Sequence, residues 1–122
     1  MSEQPKTLVL GASTNPNRYA YLAAEALHRK SIPFLAVGRG EGSVFGQPIQ
    51  SVIPSDVPID TVTVYLSEKN QSEWKKWVED LHPRRVIFNP GAENPEWARE
   101  LEAKGIEPIE ACTLVMLSTH QY

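Results

Sequence analysis

Short runs of aliphatic and β-branched residues alternate with longer segments whose apolar residues recur at i, i+3, i+4 and i+7, and this alternation restricts the fold more than any other feature. Lys6 to Gly11 is an aliphatic run that stops at glycine, the pattern of a strand buried on both faces. The stripe Ala20, Ala23, Ala24 and Leu27 follows, a helix whose small residues let it lie close to a sheet. Pro33 to Val37 is a second strand and Thr61 to Leu66 a third. Between them, "GRGEGSVFGQPIQSVIPSDVPID" holds too many glycines and prolines for a long helix and leaves room only for a short strand or a helical turn. Asn70 with Glu73 reads as a capping pair for a helix carrying Trp74, Trp77, Val78 and Leu81. Arg85 to Phe88 is a fourth strand. Asn94 as cap, Pro95 at the first helical position and Gly105 past the end then bracket a helix with Trp97, Ala98 and Leu101 on its inner face. Ile106 to Ile109 is a fifth strand, and "CTLVMLSTHQY" is an apolar tail expected to fold back on the sheet.

Strands alternating with helices of this length demand right-handed crossovers and a parallel sheet covered on both faces. The expectation is an α/β, Rossmann-like three-layer fold: a parallel five-stranded sheet with helices on both faces. A chain of 122 residues suits one such domain, spanning residues 1–122, and can bury roughly two thirds of its unfolded surface.

Charge and cysteine content narrow the partners. A formal charge of -3 and a pI near 5.6 argue against nucleic acid, which needs Lys and Arg clustered on one face; Lys75 with Lys76 is only a helix-surface pair. "MSEQPKTLVL" has no secretory-signal pattern and nothing approaches a membrane span, so a soluble cytoplasmic protein is expected. Cys112 alone forms no internal disulfide, and no Cys/His spacing matches a zinc site. A small-molecule ligand is the expected partner, with a protein partner or a second copy left open.

In such a sheet the ligand lies beyond the carboxyl ends of the strands, at the first strand–helix turn. Here that turn is "GASTNPNR". A helix start offers unpaired N–H groups and about half a positive charge, so Asn15, Pro16, Asn17 and Arg18 form a candidate phosphate cradle, with hydroxyl donors from Ser13 and Thr14. The dinucleotide fingerprint needs three glycines, of which only Gly11 is in place. NAD also calls for an acid after the second strand, where this chain has Gly38, Arg39 and Gly40. A guanidinium there suits a ribose phosphate, which both NADP and coenzyme A carry; the missing glycines put coenzyme A ahead. The competing reading leaves Arg39 in solvent and the turn as a plain helix cap.

The run "VLGASTNPNRYAYLAAEAL", then "GQPI" before "VPID", "NPGAEN" after the fourth strand and "EAC" after the fifth resemble, in that order, the stand-alone coenzyme A-binding proteins. They are also similar to the amino-terminal coenzyme A-binding domain of succinyl-CoA synthetase alpha subunits. The resemblance runs from about Lys6 to about Leu117. It implies that Ser13 to Arg18 receive the pyrophosphate of coenzyme A or an acyl-CoA, and that the loop Gly38 to Gly42 approaches the adenosine end. It further implies that Asn89 and Pro90 flank the pantetheine and that Ser67 lines the same groove. Many stand-alone members end the second strand in Val-Asn-Pro, where this chain has Val37, Gly38 and Arg39. The synthetases keep their phosphorylated histidine in a second domain, so the resemblance carries over binding and not catalysis.

The remaining reactive residues read as structural. His28 lies near a helix end, His82 in a His-Pro turn and His120 in the tail, none at a strand end. Cys112 has Glu110 nearby, which opposes a thiolate, and is expected buried as a small apolar residue. Glu93 belongs to the turn leading to Asn94, and Trp74, Trp77 and Trp97 lie on core stripes. Glu93 and Glu110 could share acid–base work, yet no nucleophile, base and orienting group assemble. The expected function is ligand binding without catalysis. The alternatives are an enzyme or regulator using NADP or another nucleotide, and a partner-docking domain whose ligand site has decayed.

Overall fold

The computed structural model describes residues 6–122. The reading of the leading residues, Met1 to Pro5, lies outside them. The elements follow in the order β1 (Thr7–Leu10), α1 (Tyr19–Arg29), β2 (Phe34–Val37), β3 (Ser43–Val44), β4 (Gln47–Gln50), β5 (Thr61–Val64), α2 (Lys75–Leu81), β6 (Arg85–Phe88), α3 (Pro95–Ala103), β7 (Glu107–Glu110) and α4 (Thr113–Ser118). A short 3-10 turn, Glu68–Asn70, precedes α2.

The five expected strands are present and pair in parallel in the spatial order β2-β1-β5-β6-β7. The sheet has seven strands rather than five. The glycine-rich stretch after β2 supplies a hairpin whose returning strand β4 pairs in parallel with β2, while β3 runs antiparallel at the edge. A two-residue turn of Phe45 and Gly46, both at positive φ, closes this hairpin. The chain leaves β1 to one side for β2 and returns to the other for β5, so the switch in direction falls at the carboxyl end of β1.

Alternation along β1 sends Leu8 and Leu10 to one face and Val9 to the other. Trp74, Val78, Trp97 and Leu101 from the α2 and α3 region cover the first face. Ala20, Ala24 and Leu27 of α1 and Leu117 of α4 cover the second. Trp97 meets the edge of Phe88 at 5.6 Å, a pairing that adds about 0.5–1.5 kcal/mol beyond its buried area. The tail folds back as expected. The Tyr122 hydroxyl bonds to Thr7 Oγ1, and its ring lies 4.6 Å from the buried guanidinium of Arg85, which donates to Thr61 Oγ1 at 2.9 Å. Thr7, Thr61 and Arg85 are register partners across β1, β5 and β6, so this polar row seals the amino-terminal edge of the sheet. Beside it, a forked pair of hydrogen bonds from Arg84 holds the Asp60 carboxyl below the usual range, against a smaller opposing effect of burial.

The ends of α3 lie where the sequence places them, and the start of α2 does not. Asn94 accepts the Trp97 N–H, Pro95 opens α3, and Gly105 follows it at a φ of +79°. Asn70 does not cap α2. It sits in the 3-10 turn and donates to Ser67 Oγ, and α2 begins only at Lys75. Trp77 consequently stands 42 % exposed instead of in the core.

The cause of the delay is Gln71. Its fully buried carboxamide donates to the carbonyls of Leu66 at 2.8 Å and Ala92 at 2.7 Å, and accepts from Asn94 Nδ2 at 2.8 Å. These bonds tie the segment after β5 to the loop after β6 before a helix can start. Gln71→Ala removes three hydrogen bonds and leaves the Ala92 carbonyl unpaired, an expected loss of about 2–3 kcal/mol. Urea denaturation measures it, and a loss below about 0.5 kcal/mol would show that the clamp carries no stability.

Candidate functional site

The carboxyl ends of β1, β2, β5 and β6 open into a cleft of about 1040 Å³, at the upper end of the range for small-molecule sites. Gly11 forms its floor. Its φ of +94° suits glycine, and a Cβ there would meet Leu66 Cδ2 at 3.1 Å and the Tyr65 carbonyl carbon at 3.2 Å. Gly38 lets the end of β2 approach the turn, since its Cβ would lie 3.0 Å from the Ala12 carbonyl oxygen.

Of the residues singled out from sequence, Gly11, Ser13, Thr14, Asn17, Arg18, Gly38, Arg39, Gly40, Ser67, Asn89 and Pro90 line the cleft. Asn15 and Pro16 do not. Asn15 instead organises the turn: its N–H donates to Ser13 Oγ, its Oδ1 accepts the Asn17 N–H, and its carbonyl accepts the Arg18 N–H. The cradle expected from the backbone of Asn15 to Arg18 is therefore already committed internally. Helix α1 starts later than the sequence suggested, at Tyr19. Within the turn from Ser13 to Ala20, the N–H groups with no protein acceptor are those of Ser13 and Thr14 on one side and Tyr19 and Ala20 on the other, and all four residues line the cleft. The donors come from the two flanks of the turn rather than from its middle.

Asn89 lines the cleft but its side chain is turned to structural use. Nδ2 donates to Thr63 Oγ1 at 2.7 Å and to the Val64 carbonyl at 3.0 Å, while Oδ1 accepts the Thr113 N–H at 2.8 Å. It joins the ends of β5 and β6 to the start of α4. Arg39 is not free in the loop: it pairs with Glu73. Sequence reasoning missed Tyr19, Tyr65, Trp74 and Cys112 as lining residues. For Tyr65 the signal was its place at the end of the third strand. Cys112 is half-buried and lines the cleft, not sunk in the core as expected, because it precedes α4 at the carboxyl end of β7.

The histidines lie off the cleft. His28 stacks on Phe45 at 5.5 Å, and His82 ends α2 in the left-handed conformation. Glu93 accepts the Gly91 N–H at 2.9 Å, holding the turn into α3, and Glu110 is exposed outside the lining. Among the described residues no group of three His, Cys, Asp or Glu has the arrangement of a metal site, and no helix is long and apolar enough to cross a membrane.

One lining residue has an anomalous environment. The Tyr65 hydroxyl is buried without a hydrogen bond, and burial pushes the phenol up to about 12 despite the Thr63 and Thr113 hydroxyls beside it. Those two are bonded to each other at 2.7 Å. An unfolded tyrosine ionises near pH 10, so the folded protein loses stability as pH rises from about 10 towards 12. Tyr65→Phe should leave stability at pH 7 unchanged or slightly raised and reduce that alkaline loss, as read from melting midpoints between pH 7 and 11.5. A loss of more than about 1 kcal/mol at pH 7 would show that the hydroxyl is well partnered.

Comparisons with known proteins place the chain by family and fold. A family model described as "CoA binding domain" matches residues 5–118. The crystal structure of an uncharacterized protein is 46 % identical, with 99 % of this chain and 100 % of that one covered at a TM-score of 0.94. A Thermus thermophilus protein at 22 % identity (98 % and 91 % covered, TM-score 0.85) and a conserved hypothetical protein from Pyrococcus furiosus at 24 % (91 % and 97 % covered, TM-score 0.78) share the fold. A search of the curated proteins finds no match. With all but a few residues at either end matched by the family model, the chain belongs to the CoA binding domain family.

Proposed function

We propose that the cleft binds coenzyme A or an acyl-CoA and that the chain, acting as one domain, holds this ligand without transforming it. The observation that carries the reading is the set of four uncommitted N–H groups of the first turn, from Ser13, Thr14, Tyr19 and Ala20, at one wall of a large cleft. A diphosphate placed there takes hydrogen bonds from the turn and the field of α1. Gly11, Asn17 and Arg18 shape this subsite, with Asn15 and Pro16 supporting it from behind. The adenosine end then points to Gly38, Arg39 and Gly40, where the ribose phosphate finds a guanidinium. The pantetheine runs past Ser67 towards Asn89, Pro90 and Cys112. Asn89 contributes there by shaping the wall, since its amide is already bonded. The family membership supports the choice of coenzyme A over a dinucleotide.

Calorimetric and thermal-shift titrations with coenzyme A, acetyl-CoA, NADP and NAD test it. A ligand at a hundred times its dissociation constant adds about 2.7 kcal/mol of stability, and coenzyme A or acetyl-CoA should give the largest shift. A larger shift with NADP would replace this reading by a nicotinamide-nucleotide one, and no shift with any ligand would favour a docking domain. Tyr19→Pro probes the turn itself. Proline is tolerated at the first helical position, and Arg18 already has the extended backbone that precedes proline, with ψ at 141°. The variant should melt like the wild type yet lose about tenfold or more in affinity for coenzyme A, the effect of one charge-assisted hydrogen bond. Tyr19→Ala separates the N–H from the ring: if it weakens binding as much as proline does, the N–H makes no contact.

A further inference from the structure

An ion pair crosses the mouth of the cleft. Arg39, on the loop leaving β2, donates from Nη2 to Glu73 Oε1, in the segment between the 3-10 turn and α2. The two loops are brought together at the carboxyl edge of the sheet, and Arg39 and Trp74, the residue after Glu73, both line the cleft. Both partners are open to water, with side chains 77 % and 48 % exposed, so the pair is weak and easily exchanged. The contact also engages one nitrogen of the guanidinium, not the two-pronged geometry that makes an Arg–carboxylate pair strong. A phosphate monoester, with close to two negative charges at neutral pH and three acceptor oxygens, is the better partner for the same group.

We infer that Glu73 sets the affinity of the cleft for a ligand's phosphate monoester. In the free protein its carboxylate holds the place at Arg39 that the phosphate of an adenosine ribose takes on binding. Arg39 exchanges one acceptor for the other, and the displaced carboxylate stays close enough to repel the incoming charge. Glu73 thus subtracts from what the phosphate contributes, while a ligand lacking that phosphate leaves the pair in place. The inference rests on the coenzyme A reading above.

Titration calorimetry of wild type, Glu73→Gln, Arg39→Ala and the double variant with coenzyme A and dephospho-coenzyme A tests it. Glu73→Gln should tighten coenzyme A by about three- to tenfold, from the competing pair and the repulsion removed together, and dephospho-coenzyme A by less than about twofold. Arg39→Ala should weaken coenzyme A alone, and in its background Glu73→Gln should move coenzyme A by less than about twofold. Equal tightening of both ligands, no change, or a weaker coenzyme A complex in Glu73→Gln would overturn the competition, the last by making Glu73 a support for Arg39 instead. A wild type that binds neither ligand overturns the coenzyme A reading and this inference with it; one that binds both equally overturns this inference alone. Melting of the ligand-free variants verifies that each is folded.

Discussion

The cleft exists because a neutral carboxamide is buried between two loops that would otherwise part. Gln71 has no accessible surface and bonds three segments: the end of β5, the loop after β6 and the cap of α3. A buried amide without partners is costly, and one with all its main valences met fixes its neighbours in a single arrangement. Asn89 repeats the device at the end of β6, joining β5, β6 and α4. Between them these side chains fix the loops after β5 and β6, which form the wall opposite the first turn. The apolar layers could be rebuilt with other residues of similar volume; the position of these loops could not.

The first turn divides its own donors. Asn15 and Ser13 satisfy the amides at its centre through local side-chain bonds, which stiffens the loop without drawing on the helix. The amides at its flanks have no protein acceptor and lie next to the positive end of α1. A turn braced in this way would lose little ordering entropy on taking up the proposed ligand. The absent fingerprint glycines are consistent with this arrangement, because Gly11 and Gly38 already allow the one close approach that the strands require.

Much of this was legible from sequence, for a physical reason. Strands buried on both faces must be rich in aliphatic, β-branched or aromatic residues; β1 and β5 are wholly aliphatic or β-branched and β6 carries Val86, Ile87 and Phe88, so their pattern survives any tertiary context. The α3 cap was equally legible, since Asn94, Pro95 and Gly105 act locally. What could not be read were features decided by distant partners. β3 and β4 are short, carry Pro48 and polar residues, and exist because β2 offers an edge. Asn70 has the composition of a cap and loses that role to Gln71, whose importance is invisible in a polar stretch of "EKNQSEW". In the cleft, the lining by the first turn and Gly38 followed from the topology, whereas the pairing of Arg39 with Glu73 and the internal use of Asn89 did not.

The tail links the two edges of the sheet. Cys112 stands at the cleft, α4 packs beside α1 on the sheet, and Tyr122 closes over Arg85 at the opposite edge. Both ends are anchored by hydrogen bonds, at Thr113 to Asn89 and at Tyr122 to Thr7. The segment therefore behaves as a ruler cut to the length of the strands. One residue more or fewer between these anchors would rotate the helix by about 100° and prevent both from seating at once. Side chains on its outer surface are free to vary, while its number of residues is held constant by the sheet that it spans.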